Sequence, residues 1–490
     1  MAWRGTMMAH SAVDPYWLAG VRREITDHPE HAVAIEDECS KCHKPMQRYA
    51  NQLMGNVGHV FVGNPAGPND IPADAPMSVD GVSCGVCHQI DAANLGTPES
   101  LVGGFELDKV APVGTRRVYG PHTIATGTKR VMSSATRFEP NRADHMQRPE
   151  LCATCHTLFT HAIGEDGQPT EPFPEQVPYL EWQHSDYGDA QSCQSCHLAE
   201  VRQPHPISSV VGKPREQLSQ HSFRGGNFVV PQLLAAGVGD ARVGAQELEL
   251  VVRKTKAHLR DAAAIVTIDA DGAVVKDGEL RVEVNIANLA GHKLPTAYPS
   301  RRVWLQVTMI SATGKKLFES GALEPNGAIA GNDNDTDAAR FEPHYDVVSQ
   351  PDQVQIYESV MGNYAGEVTT GLLRATQYLK DNRLLPVGFD KNAAPADVAV
   401  KGQAVTDSGF TDGGDGVEYV IAVQPSDLPV SIEVRLWYQA IGYRWAQNLA
   451  GYDAPEPQAF VQGYNQLSGT DTAVMLAEEQ VVITDPAPAP

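Results

Sequence analysis

Several things are missing from this 490-residue chain, and each absence removes a class of function. No cysteine follows Cys196, so the C-terminal portion has no thiol chemistry to draw on. Long apolar runs are also absent. The longest, such as ELELVVRKTKAHL, are interrupted by charge, so no transmembrane helix is expected. Positive charge is scarce, with 38 Lys and Arg against 60 Asp and Glu and a net charge of −22. Such a chain repels nucleic acid and anionic membrane surfaces and suits basic protein partners. Neither a Ser-His-Asp arrangement nor an H-E-x-x-H run is evident. The opening MAWRGTMMAHSAVDPYW lacks the basic and apolar regions of a secretory signal.

What is present is concentrated. All 8 cysteines fall into four C-x-x-C-H runs: Cys39-Cys42-His43, Cys84-Cys87-His88, Cys152-Cys155-His156 and Cys193-Cys196-His197. This pattern reads as covalent c-type haem attachment. Two intervening residues let both thiols reach one porphyrin edge, and the adjacent histidine is carried under the iron. Redox dithiols or disulfides would need no histidine, and chance placement of four is on the order of 10⁻⁶. Zinc would make an awkward three-ligand clip at each run, and four clips would have to share ligands. The expectation is four haems, with the eight cysteines as anchors and His43, His88, His156 and His197 as proximal ligands. Covalent attachment takes place outside the cytoplasmic membrane. The protein is therefore expected to be exported, periplasmic or extracellular, with its signal removed.

Length and periodicity divide the rest. A chain of 490 residues exceeds one ordinary core, and the fold class expected is α+β. Residues 1–230 read as a loop-rich, mainly helical tetrahaem domain, with QPTEPFPEQVP carrying turn residues. Asp14-Pro15 reads as a helix start, and Trp17, Leu18, Val21 and Ile25 form one stripe, read as core packing. Residues 231–261 read as a helical connector, with Leu248, Val252 and Leu259 at helical spacing and a favourable Glu249–Arg253 pair. From 262 to 490 the period becomes two: Leu280 to Ile286, Val303 to Met309, Val417 to Val423 and Val430 to Tyr438 all alternate. This predicts an antiparallel β-sandwich with insertions and a helical segment at Arg444–Tyr452.

Segments including DGVSCGVCHQI, CATCHTLFTHAIGEDG, PEQVPYLEWQHSDY, HSFRGGN and GHKLPTAYPSRR resemble large bacterial multihaem c-type cytochromes. The haem part is similar to the tetrahaem cytochrome family that takes electrons from hydroxylamine oxidoreductase. The resemblance implies electron transfer between closely packed, mostly bis-histidine haems. Thirteen of the 17 histidines lie outside the four motifs, and distal ligation explains several of them. His161, His184, His221, His145 and His292 are the candidate distal ligands. In addition, Asn332 to Asp337 alternates oxygen donors, so Asp333, Asp335 and Asp337 are candidate calcium ligands. An electron carrier with redox-protein partners is the expectation. The alternatives are an enzyme acting on a small nitrogen or sulfur compound at one open iron, and a subunit that self-assembles into an oligomer or filament.

Overall fold

In a computed structural model the described residues are 2–490 except 63–69, 109–110, 113, 165, 189, 209–211, 217, 485–486 and 489–490. The chain forms two compact units. The first comprises Met1–Leu158, Asp189–Lys254 and Ala454–Phe460; the second comprises Phe159–Gly188, Thr255–Asp453 and Val461–Pro490. Membership does not follow the chain in order, since residues 159–188, between the third and fourth motifs, belong to the second unit.

The first unit is built from short helices. Asp14 caps Pro15–Asp27, accepting from the Tyr16 and Trp17 amides at 2.8 and 3.2 Å, with Pro15 in the first turn. The apolar stripe is only part of that helix's buried face. Val21 is buried and Trp17, Leu18 and Ile25 are half-buried, while a buried Arg23–Glu24 pair at 2.7 Å completes the face. Every cysteine motif sits in a helical turn: at the ends of Ala32–His43 and Glu150–His156, in Cys193–His197, and in Cys84–Cys87 with His88 as cap. A helical turn places residues three and four apart on one face, so both thiols and the histidine project together. The helix at Ala245–Ala262 buries Leu248, Val252 and Leu259, with Glu249 and Arg253 paired at 3.9 Å.

The second unit holds two six-stranded sheets. In the first, Glu279–Asn288 pairs antiparallel with Gly414–Ala422 and Ala264–Ile268, with Val282 opposite Tyr419. In the second, Arg302–Ile310 pairs antiparallel with Val430–Gln439, Ile356–Gly362 and Lys316–Ser320, and Ala473–Ile483 follows on. The alternation is a burial pattern: Leu280, Val282, Val284 and Ile286 are buried, as are Val430, Ile432, Val434 and Leu436. Tyr357 of the second sheet donates to Asp415 of the first at 2.7 Å, and Phe318 meets Tyr419 at 6.0 Å, so the inner faces meet. Two peripheral pairings, Val347–Val348 on the first sheet and Val274–Val275 with Ala487–Pro488, are parallel. The architecture is α+β. A helix at Tyr443–Asn448 continues in a tight turn to Gly451.

One segment departs from its expected loop. QPTEPFPEQVP supplies the strand Pro169–Gln176, paired with Leu158–Ile163. A two-stranded ribbon is all edge, which tolerates the missing proline donors. Phe173, packed with Met361 and Ala375, fixes it.

Candidate functional site

Three of the four motif histidines are held by backbone carbonyls. Nδ1–H of His43 donates to the Ser11 carbonyl at 3.2 Å, that of His88 to Tyr119 at 2.6 Å, and that of His197 to Arg224. A carbonyl can only accept, so the proton is fixed on Nδ1 and the lone pair on Nε2, the state a metal ligand needs. Burial lowers His43 to about 4, an effect that nearby His156 increases. Its ring therefore stays neutral.

All eight cysteines are free thiols. They are brought together across motifs. Cys42 interacts with Cys155, and Cys152 with Cys193; the sulfur–sulfur contact, then burial, raises Cys42 and Cys152, while the same contact lowers Cys155 and Cys193 against the opposing effect of burial. Cys87 is pushed up to about 12 by burial first and then by Cys155 and Cys84. The third motif is thus the centre of the group, with the first and second beside Cys155 and the fourth beside Cys152.

Residues 102–103 tie the first motif to the third. Val102 and Gly103 donate to the carbonyls of Thr157 and Thr154 at 3.1 and 2.6 Å. Both take positive φ, 54° and 71°. A Cβ on Gly103 would lie 2.8 Å from the Lys41 Cβ and 3.4 Å from the Cys42 Sγ, so only glycine fits the approach. Conformation and space both demand it.

The candidate distal ligands fall into three groups. His221 faces His88, with ring centroids 6.0 Å apart. His161 and His184 belong to the second unit and donate Nδ1–H to the carbonyls of Thr170 and Leu180, each at 2.8 Å. His292, also in the second unit, donates to the Lys293 carbonyl at 2.9 Å. His145 differs, because its Nε2 is the nitrogen engaged, by the Ile90 carbonyl at 3.0 Å. His28 was not among the candidates, yet its buried Nε2 has no hydrogen-bond partner among the described residues. Nothing in the run DHPEH distinguishes it from a solvated histidine.

His184 owes its place to a buried ionic network. Glu181, on the helix Pro178–Gln183, meets Arg383 at 2.7 Å and accepts from Thr296 at 2.5 Å. Arg383 and Lys293 in turn share Asp381, at 2.7 and 2.8 Å.

The calcium reading is corrected. Asp335 turns inward and takes the buried Arg302 guanidinium at 2.8 and 2.9 Å, Asp333 pairs with Arg340, and Asp337 caps Ala339. The three carboxylates serve three different partners, and a guanidinium occupies the place of a cation.

Among the described residues one cluster has ligand-like spacing, His344, Asp407 and Asp415, all buried. Its hydrogen bonds oppose metal binding. The Gln355 and Asn382 amides both donate to His344 Nδ1 at 3.0 Å, and their own oxygens accept from the Tyr345 and Glu358 amides. His344 must therefore carry its proton on Nε2, donated to Asp407 at 2.8 Å. Neither nitrogen offers a lone pair to a metal.

No family model matches the chain, and no characterised protein matches it by sequence. Among solved structures it is similar to the crystal structure of a penta-heme cytochrome c552 from Thermochromatium tepidum. The identity is 14%, the TM-score 0.52, and the alignment covers 98% of this chain and 95% of that chain. The likeness is one of fold: this chain shares the architecture of a multihaem c-type cytochrome.

Proposed function

We propose that this protein is an exported electron-transfer cytochrome carrying four covalent c-type haems. The thiol pairs Cys39/Cys42, Cys84/Cys87, Cys152/Cys155 and Cys193/Cys196 are the anchors, and His43, His88, His156 and His197 are the proximal ligands. His221 is the distal ligand opposite His88; His161, His184 and His292 are the further distal candidates. Bound haem supplies one-electron redox chemistry at each anchor. The chain's own contribution is to fix ligand orientation, exclude water and hold the anchors close together.

The observation that carries this reading is the convergence of cysteines from different motifs, Cys42 on Cys155 and Cys152 on Cys193. Isolated structural sites have no reason to interlock, whereas a relay requires neighbouring centres. The same contacts support a relay order of first, third and fourth, with the second beside the third. The net charge of −22 favours basic redox partners. Among the described residues no helix is long and apolar enough to cross a membrane.

Intact mass of the exported protein, joined to a redox-titrated visible and EPR spectrum, tests the proposal. Four haem masses and only low-spin ferric signals are expected. A high-spin ferric signal from one centre would favour an enzyme with an open iron. A histidine from a neighbouring copy on one iron would favour a filament. A colourless product without Soret absorbance would end the proposal.

A further inference from the structure

The three motif histidines with a backbone carbonyl on Nδ1 are not equivalent. His43 is also covered by an aromatic face. The Trp17 indole lies on its imidazole at 4.4 Å between centroids and 2° between planes. The same short segment supplies every contact. The Ser11 carbonyl takes the His43 Nδ1–H at 3.2 Å, and the Ser11 hydroxyl donates to the His43 carbonyl at 2.9 Å. Trp17 itself is held because its amide and that of Tyr16 are capped by Asp14, while the Tyr16 ring packs on Phe460 at 4.9 Å. Residues 11–17 therefore form a clamp with three contacts on one histidine: carbonyl to ring nitrogen, hydroxyl to backbone, and indole to ring face.

We propose that Trp17 is a positioning and tuning residue for the first haem, acting through His43. This rests on the reading of His43 as a ligand of haem iron. A flat stack fixes the rotation of the imidazole about its bond to the metal, which the carbonyl bond by itself leaves loose. It also has an electronic consequence. An imidazole on ferric iron carries more positive charge than on ferrous iron, and the negative face of an indole favours the more positive ring. The stack therefore favours the oxidised state, and one electron is accepted less readily at this centre than it would be without Trp17. A sequence reading takes Trp17 for core packing, because a helical stripe does not reveal which ring it covers.

The test is a spectropotentiometric titration with parallel EPR on the haem-loaded protein and its W17L and W17F variants. W17L keeps an apolar side chain and loses the aromatic face. One centre should become easier to reduce by two- to fivefold in its equilibrium constant, about 20–40 mV at 59 mV per tenfold. One low-spin ferric signal should broaden as the imidazole gains rotational freedom, and the other three centres should not move. W17F restores a face and should recover at least half of the shift. Should W17L not accumulate, fluorotryptophan labelling decides. It should raise one potential in the unsubstituted protein and leave that centre alone in W17F. Unchanged potentials and EPR in W17L, or equal shifts in W17L and W17F, overturn the inference while leaving haem binding intact. Loss of haem from the unsubstituted protein would instead defeat the functional proposal beneath it.

Discussion

Asp415 gives the β-sandwich a measurable dependence on pH. Its carboxyl sits between the two sheets, where Oδ2 accepts from Tyr357 at 2.7 Å and from Gln355 at 3.1 Å and Oδ1 has no hydrogen-bond partner. His344 Nε2 stands 4.0 Å away, and the Asp407 carboxylate adds repulsion. Burial first, then Asp407, raises Asp415 from 3.8 to about 7, although the Tyr357 and Gln355 hydrogen bonds oppose the shift. The folded state therefore binds this proton more tightly than the unfolded chain does. The associated stability is full below about pH 4 and is lost as pH rises through 7. Three pH units at 1.36 kcal/mol each make this roughly 4 kcal/mol. D415N mimics the protonated acid: its oxygen can take the place of Oδ2, and its amide donors then face the unpartnered side, as the acid proton does. Urea unfolding followed by near-UV circular dichroism should give two stability curves that meet below pH 4. By pH 8 the variant should be more stable by about 2–4 kcal/mol. Parallel curves, or a variant less stable at pH 8, would refute the reasoning.

Other perturbations follow from the same contacts. G103A places a Cβ against Lys41 in a left-handed backbone, so it should destabilise the first unit by about 1–3 kcal/mol and lower the yield of fully loaded protein, read by intact mass. E181Q leaves Arg383 without one buried carboxylate. A loss of about 3–5 kcal/mol from the second unit is expected in denaturant titration, with little change if the arginine finds water. D335N should cost a similar ~3–5 kcal/mol through Arg302, whereas chelator or added calcium should leave the melting temperature unmoved. A calcium-dependent melting temperature would restore the metal reading.

How much of this was legible in the sequence depended on how local the information was. Each C-x-x-C-H run is five consecutive residues in one helical turn, so it is recognised without tertiary context. The strands at 279–288, 302–310, 414–422 and 430–439 were equally plain, because burial of one face imposes alternation residue by residue. Pro169–Gln176 was not, since its prolines read as turn signals and its partner strand allows them. Asp335 was misread for a related reason. A run of alternating acids resembles an oxygen cage, and only the fold brings Arg302, 33 residues away, into it.

The sequence by itself determined the four C-x-x-C-H runs and the chemistry proposed for each, because two thiols and a histidine at that spacing are encoded within a single turn of helix. It also determined that a sheet domain follows, through a period set by the pleat. Only the tertiary structure decided which motif neighbours which, that Trp17 covers His43 and that His221 faces His88. Those are distances between residues far apart in the chain, and no local pattern records them.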